Sequence, residues 1–238
     1  MNFENRTIDL FIPDYVEEND TLPLIVMQDG QFVLENKEGH LGLEDFINDN
    51  KLKVALLIVP CDLENRKNEY CPYQSGVYAD ETFNEQIELT PVGKDYAKYI
   101  SEVVIPHVVQ DNGFRFTRVY LAGISLGALI SMYMLATYPN KFDGLISVSG
   151  AYYINQEAIE EKIRESSISK AHRIYIDYGT EENDDELIAH RFIESNNRIA
   201  GIIQSKGSRL KHSVFEGHKH NYTYFKDRMN NAIKEIIK

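Results

Sequence analysis

A serine between two glycines stands where the chain could support nucleophilic chemistry. Gly123-Ile124-Ser125-Leu126-Gly127 follows the apolar run 119–122 and precedes a second apolar run. A tight turn from a strand into a helix strains its central serine, and flanking glycines prevent a steric collision there. The hydroxyl would project from the carboxyl edge of a sheet, where it can attack an acyl carbon. The pattern predicts that Ser125 is a catalytic nucleophile.

A serine hydroxyl is a weak nucleophile at neutral pH, so it needs a base and a carboxylate that orients the base. Along chains with this kind of turn the order is serine, acid, histidine. After the predicted strand at residues 174–178 comes a glycine turn whose carboxylates compete for the role of the acid: Glu181, Glu182, Asp184 and Asp185. Asp177 lies inside the preceding predicted strand, which favours packing or pairing over catalysis.

Three of the seven histidines, His212, His218 and His220, come late enough to serve as the base. His212 opens the last predicted strand, away from its carboxyl end. His218 and His220 fall in the predicted loop between that strand and the last helix, where a base is expected. Spacing does not choose between these two.

The negative oxygen that forms during acyl transfer needs two N–H donors. One is expected from Leu126, the residue after the nucleophile, and the other from a turn that follows an earlier strand. Gln28-Asp29-Gly30-Gln31 is such a turn, and we expect the Gln31 N–H to be the second donor. Without the serine motif, the same residues would be an ordinary Asp-Gly turn.

Short apolar runs alternate with amphipathic segments, which is typical of a mostly parallel sheet covered by helices. Strands are predicted over residues 7–12, 24–28, 54–59, 118–122, 144–149, 173–178 and 212–216. The first is expected at the edge of the sheet. Helices are predicted over residues 96–108, 126–138, 184–205 and 222–237, with a kink at Pro106 in the first.

Composition narrows the class of protein. The 238 residues are 43% hydrophobic and 26% charged, as in a globular protein of one domain, residues 1–238. A net charge of −12 argues against nucleic acid or an anionic membrane as a partner. No apolar run could span a membrane, and residues 1–6 do not resemble a secretory signal. We therefore expect a cytoplasmic protein with two reduced cysteines, Cys61 and Cys71, and with no metal or cofactor.

Four segments, in order, carry a family resemblance: Asp29-Gly30-Gln31, Arg66-Lys67-Asn68-Glu69-Tyr70-Cys71-Pro72, the turn at residues 123–127, and Tyr138-Pro139-Asn140-Lys141-Phe142. Together they resemble the putative-esterase family of α/β-hydrolases. That family includes enterochelin esterase-like proteins, S-formylglutathione hydrolase, feruloyl esterase domains and mycolyl transferases. The resemblance implies an α/β-hydrolase fold: a three-layer sandwich whose mostly parallel sheet has an antiparallel N-terminal edge and helices on both faces. No separate lid domain is expected.

The resemblance also separates candidates that spacing leaves open. The family's acid falls three residues after the glycine that ends the strand, which points to Glu182. Its histidine precedes a polar residue and a later aromatic one, which points to His220 rather than His218. Glutamate stands here where several branches have aspartate, and Ala128 replaces a usual glycine.

Further residues near the expected site have two interpretations each. Arg66, Glu69 and Tyr70 either brace a loop beside the site or contact the substrate, and bracing is the favoured interpretation. Tyr152 and Tyr153 follow a predicted strand and either line the pocket or pack in the core.

The expected activity is that of a serine esterase, which hydrolyses a small to medium-sized ester through an acyl-enzyme intermediate. An acyltransferase or thioesterase with the same triad, or a non-catalytic binding module that retains the fold, is the alternative. The expected partner is a small-molecule ester, and a homodimer is compatible with the sequence.

Overall fold

A computed structural model describes residues 6–111 and 113–238. Its strands are β1 (Asp9–Phe11), β2 (Thr21–Met27), β3 (Ala55–Ile58), β4 (Arg115–Ile124), β5 (Gly144–Val148), β6 (Arg173–Glu181) and β7 (Arg209–Lys219). They form one sheet in the order β1-β3-β2-β4-β5-β6-β7. β1 pairs antiparallel with β3, and the other neighbouring strands pair in parallel. The predicted sheet, with its antiparallel N-terminal edge, is confirmed.

Helices cover both faces of this sheet. Within the described residues they are α1 (Leu43–Asp49), α2 (Arg66–Tyr70), α3 (Val77–Phe83), α4 (Gly93–Tyr99), α5 (Ile105–Asp111), α6 (Leu126–Thr137), α7 (Gln156–Glu165), α8 (Glu186–Ser205) and α9 (Tyr222–Ile236). Buried residues of α1 and α9 pack in one apolar cluster, and those of α4, α6, α7 and α8 pack in another. The fold is therefore the expected three-layer sandwich.

The alternation of side chains along the strands explains the two apolar clusters. In β2, Leu24 and Val26 belong to one cluster, whereas Ile25 and Met27 belong to the other. Successive side chains of a strand point to opposite faces, and a parallel strand with helices on both faces is therefore apolar at nearly every position.

Several local predictions were wrong. The segment predicted as one helix over residues 96–108 is α4, then a π-helical turn at Ile100–Val104, then α5. The proline ring clashes with the carbonyl four residues earlier, and the interruption accordingly lies just before Pro106. Strand β7 is longer at both ends than predicted, so that His212 lies within it and His218 is not in a loop. Helices α1, α2 and α3 were not predicted, because segments of five to seven residues show little periodicity. Helix α7 was missed although Ile159 and Ile163 lie at helical spacing on its buried face.

No helix in residues 6–111 or 113–238 is both long enough and apolar enough to cross a membrane.

Candidate active site

Ser125 occupies the sharp turn between β4 and α6 with a strained backbone, at φ 59° and ψ −121°. A β-carbon on Gly123 would lie 2.2 Å from the carbonyl carbon of Gly127. One on Gly127 would lie 2.9 Å from a carboxylate oxygen of Asp29. The two glycines are therefore required by close packing at the turn. They permit the conformation that exposes the serine hydroxyl.

The His220 imidazole lies beside the carboxylate of Glu182. His220 immediately precedes the N-cap residue of α9, and its Nδ1 is 2.6 Å from Glu182 Oε2. An ionised carboxylate only accepts hydrogen bonds, so Nδ1 carries the proton and Nε2 is left as an acceptor. The rings of Phe225 and Phe192 meet the imidazole edge-on, with centroids 4.9 and 5.6 Å away. These contacts fix the orientation of the ring.

The three competing carboxylates have other surroundings. The side chain of Asp185 caps α8 by accepting hydrogen bonds from the N–H groups of Leu187 and Ile188. Glu181 is exposed at the end of β6, and the Asp184 side chain is 99% exposed. None of these three carboxylates forms a hydrogen bond or an ion pair with His220 among the described residues.

His218 also has different neighbours from His220. It lies in β7, where its ring stacks on Phe215 at 5.1 Å and approaches Tyr224 at 4.5 Å. Its buried Nδ1 has no hydrogen-bond partner among the described residues. This environment suits packing rather than proton transfer.

Ser125 and His220 line the same cavity, whose volume is about 660 Å³. Its lining combines aromatic side chains and the His40 ring with charged side chains: Phe32, Tyr222, Phe225 and His40, and Lys37, Glu38, Arg66 and Lys226. Among the described residues, no direct hydrogen bond joins the Ser125 hydroxyl to His220. Catalytic hydrogen bonds of this kind are often long before substrate binds, so shared access to one cavity is the relevant geometry.

Glu182 is almost fully buried, and hydrogen-bond donors surround one of its oxygens. Oε1 accepts from Ser149 Oγ at 2.5 Å, from the Gly179 N–H at 2.5 Å and from Arg228 at 3.3 Å. Burial raises the pKa of Glu182, but hydrogen bonds from His220, Ser149 and Gly179 outweigh burial and leave this pKa below its usual value. Glu182 is therefore ionised at neutral pH and can orient and stabilise a charged imidazole.

Ser149 and Arg228 were missed by sequence reasoning. Ser149 follows β5 with a left-handed backbone, at φ 48°, and Arg228 lies in α9 with no exposed surface. Asp177, which was expected to pack or pair, lies 3.6 Å from the Arg228 guanidinium. Burial raises the pKa of Asp177 to about 7, although the charge of Arg228 and a hydrogen bond from Tyr175 act in the opposite direction.

The two expected oxyanion donors lie at adjoining turns. Leu126 is the first residue of α6, and Gln31 lies in a short 3-10 turn after β2. Neither N–H donates to an acceptor within the described residues, whereas the N–H of Gly30 donates to Val59. Since the Asp29 carboxylate of the second turn lies against Gly127, the two turns are neighbours.

Arg66 and Tyr70 hold the turn at Asp29. The Arg66 guanidinium donates two hydrogen bonds to the Asp29 carboxylate, at 2.6 and 2.8 Å. The Tyr70 hydroxyl accepts from the Asp29 N–H at 3.0 Å. Glu69 is buried and pairs with Arg6. These contacts have the geometry of bracing, although Arg66 also lines the cavity.

The tyrosines after β5 do not line this cavity. Tyr152 is fully buried and donates a hydrogen bond to Ser147 at 2.7 Å. Tyr153 packs between the rings of Phe83 and Phe192. Of the two interpretations, core packing describes Tyr152.

Metal ligands and reactive thiols are two other kinds of group that could support chemistry. Within the described part of the chain, no group of three or more His, Cys, Asp or Glu side chains could hold a metal ion. Cys61 and Cys71 are both free thiols, and burial raises the pKa of each to about 12. Both thiols are therefore poor nucleophiles at neutral pH.

Known proteins resemble the chain over nearly all its length. YbbA of Bacillus subtilis (strain 168), described as an uncharacterized protein, is 27% identical over 97% of this chain and 92% of its own. The siderophore hydrolase EstA from Aspergillus nidulans is 17% identical and aligns with a TM-score of 0.71 over 96% of this chain and 88% of its own.

The enterobactin esterase FES from Shigella flexneri is a longer protein. It aligns with a TM-score of 0.69 at 16% identity and covers 96% of this chain. The present chain spans only 54% of that structure. At such low identity, these two structural matches show a shared fold.

The sequence pattern of the family described as putative esterase matches residues 3–236. Because that match spans nearly the whole sequence, the chain belongs to the putative-esterase family and is a carboxylic ester hydrolase.

Proposed function

We propose that the chain is a serine esterase that cleaves a small to medium-sized carboxylic ester through an acyl-enzyme intermediate on Ser125. His220 is the general base and Glu182 is the acid that orients it. The observation that carries this proposal is the 2.6 Å contact of His220 with a buried carboxylate at the cavity that also exposes Ser125. The shared cavity at Ser125 and His220 and the contact of His220 with Glu182 support this assignment.

In the first half of the reaction, the Ser125 oxygen attacks the ester carbonyl while His220 Nε2 takes the hydroxyl proton. The tetrahedral intermediate collapses, the ester C–O bond breaks, and the imidazolium gives its proton to the leaving alcohol. The ionised Glu182 stabilises the imidazolium while it exists. A bond between the acyl carbon and Ser125 remains.

In the second half, His220 takes a proton from water as the water oxygen attacks the acyl carbon. The bond to Ser125 then breaks, the serine oxygen regains the proton from His220, and the carboxylic acid leaves. In both tetrahedral intermediates the negative oxygen accepts hydrogen bonds from the N–H groups of Leu126 and Gln31. These two N–H groups, which have no acceptor in the described structure, are suited to this role.

The size and lining of the cavity guide the choice of test substrates. About 660 Å³ accommodates a small or medium-sized ester, and the rings of Phe32, Tyr222 and Phe225 in the lining suit a flat apolar group. Two solved structures of the same fold are described as a siderophore hydrolase and an enterobactin esterase. Esters of aromatic acids therefore belong in the first panel, beside short aliphatic esters, thioesters and acetylated sugars. Product analysis with added alcohols tests for transfer to an acceptor other than water.

Hydrolysis of 4-nitrophenyl butyrate tests the proposed mechanism. Ser125→Ala and His220→Ala each lower kcat by about 10³-fold or more, because each removes a group that acts only as part of the triad. Ser167→Ala, at an exposed serine, is the matched control and retains the parent rate. Parent-like turnover by Ser125→Ala would refute the proposed nucleophile.

A further inference from the structure

A fully buried arginine lies behind the proposed triad acid. Arg228 has no exposed surface, and its guanidinium is flanked by the rings of Phe215 and Phe225 at 5.8 and 5.3 Å. A desolvated cation is costly unless nearby anions and hydrogen bonds compensate it. The nearest carboxylates are Glu182, at 3.3 Å, and Asp177, at 3.6 Å. Glu182 is ionised at neutral pH, whereas Asp177, whose pKa burial raises to about 7, is only partly ionised there.

The contacts of Arg228 give the two Glu182 oxygens different partners. One guanidinium nitrogen donates to Glu182 Oε1, and the other donates to the Ser149 hydroxyl. Because that hydroxyl accepts from Arg228, its own proton is directed to Glu182 Oε1, at 2.5 Å. With Oε1 held in this way, Oε2 faces His220.

The chain connectivity links this arginine to the base. His220 immediately precedes the N-cap residue of α9, and Arg228 lies in the second turn of the same helix. Phe225, between them, contacts both the imidazole and the guanidinium. A single helix therefore carries the base at its start and, two turns later, the cation that faces the acid.

We propose that Arg228 is a positioning residue of the esterase reaction, which fixes Glu182 Oε1 through Ser149 and holds a positive charge behind the His220–Glu182 pair. This inference rests on the proposed function. It predicts that loss of Arg228 lowers kcat and moves the acid limb of the pH profile. KM should change little, because Arg228 is not among the residues that line the cavity.

The pH effect follows from the charges around the pair. The titratable groups that face Arg228 or Glu182 from the packed elements are Asp177 and Tyr175 of β6, Tyr153 after β5, and His220 before α9. Of the side chains in this cluster, only Arg228 is a permanent cation. Its removal favours protonation of the histidine–carboxylate pair, and the acid limb moves to higher pH.

Arg228→Met alone would leave two buried carboxylates without a cation and is expected to fold poorly. The experiment therefore compares Asp177→Asn with the double variant Arg228→Met/Asp177→Asn. Because both variants lack the Asp177 carboxylate, the charge of Asp177 does not affect the comparison. The double variant also has one buried carboxylate fewer to accommodate without the arginine. Circular dichroism and thermal unfolding verify that both variants fold.

In the double variant, kcat for 4-nitrophenyl butyrate is expected to fall about tenfold below that of Asp177→Asn. The acid limb of kcat/KM is expected about one pH unit higher. Arg228→Lys in the Asp177→Asn background keeps the cation and should keep the acid limb in place. An unshifted limb in the folded double variant overturns the proposal whatever happens to kcat, because a merely structural loss leaves the limb in place.

A second readout does not depend on any substrate. The proton on His220 Nδ1 lies in a 2.6 Å hydrogen bond to Glu182, and it should give a low-field proton NMR resonance. This resonance is expected in Asp177→Asn and should shift or broaden in the double variant. Identical resonances in the two would contradict the positioning role. Failure of the parent to hydrolyse any ester would instead count against the proposed function.

Discussion

Two arginine–carboxylate pairs lie on opposite sides of Ser125, and they differ in burial and in geometry. Arg66 binds both oxygens of Asp29, lines the cavity, and has a side chain that is 26% exposed. Arg228 has no exposed surface and reaches only one oxygen of Glu182. In the first pair the arginine binds both carboxylate oxygens, whereas in the second it binds only Oε1 and leaves Oε2 to His220.

This difference indicates separate tasks for the two pairs. A bidentate pair fixes both carboxylate oxygens in one orientation, so Asp29 is suited to hold the turn that carries Gln31. A shared carboxylate, in contrast, can accept from His220 while other donors fix its position. The predictions below test this division of tasks, and each uses a neighbouring residue as its control where the chain offers one.

The largest effect in the comparison is expected at Glu182. Glu182→Gln keeps the shape of the side chain but removes the charge and presents an N–H group in place of one acceptor. We expect kcat to fall by about 10²- to 10⁴-fold, since the imidazole loses both its correct tautomer and its stabilising anion. Glu181→Gln, at the exposed neighbour, should retain the parent rate. Steady-state kinetics on the same aryl ester measure both, and equal losses in the two variants would remove Glu182 from its role.

A smaller loss of activity is expected when the Arg66–Asp29 pair is broken. Arg66→Met frees the Asp29 carboxylate and loosens the turn that contains Gln31, so an oxyanion donor is misplaced. We expect kcat/KM to fall by about 10- to 100-fold. Lys67→Met, at the adjacent exposed residue, is the matched control. A loss at Arg66 as large as that at Glu182 would contradict the division of tasks, because it would place Arg66 in the chemistry itself.

The smallest effect is one of stability, at the second carboxylate near Arg228. Burial raises the pKa of Asp177 to about 7, so the folded protein holds this proton more tightly than the unfolded chain does. The contribution of Asp177 to stability is therefore present at low pH and is lost as the pH rises towards 7. The free energy of unfolding changes by at most about 1.4 kcal/mol per pH unit from this group.

Asp177→Asn removes that titration. Between pH 4.5 and 7, the unfolding free energy of the variant should rise relative to that of the parent. Urea unfolding at several pH values measures the difference. A constant difference across this range would show that the pKa of Asp177 is the same in the folded and unfolded states.

The sequence predicted the elements that carry the site better than the contacts that support it. Each predicted strand is present, because buried parallel strands are continuous apolar runs with turn residues at their ends. The turn at Ser125 was predicted from its glycines, which close packing requires. Glu182 and His220 were chosen by family resemblance, since spacing left four carboxylates and two histidines open. The geometry brings those two side chains together, but their roles stay a prediction.

Arg228 and Ser149, the two residues that hold Glu182, were not predicted, although the sequence contains one indication that Arg228 is buried. Arg228 falls on the same helical face as Phe225 and Ala232, a buried stripe where a charged residue requires a buried partner. No spacing rule identifies that partner, because Asp177 and Glu182 approach it only through the packing of α9 against β6. Ser149 was missed for the same reason. Its role depends on a hydroxyl that bridges two groups distant in sequence.

Labelling with a fluorophosphonate tests the central claim most directly, because the reagent reacts with an activated serine and leaves a covalent adduct. The account predicts one adduct per chain, located at Ser125 by mass spectrometry of the digested protein. His220→Ala should label at least about 100-fold more slowly. An adduct on another residue, or a Ser125→Ala variant that labels as fast as the parent, would contradict the account.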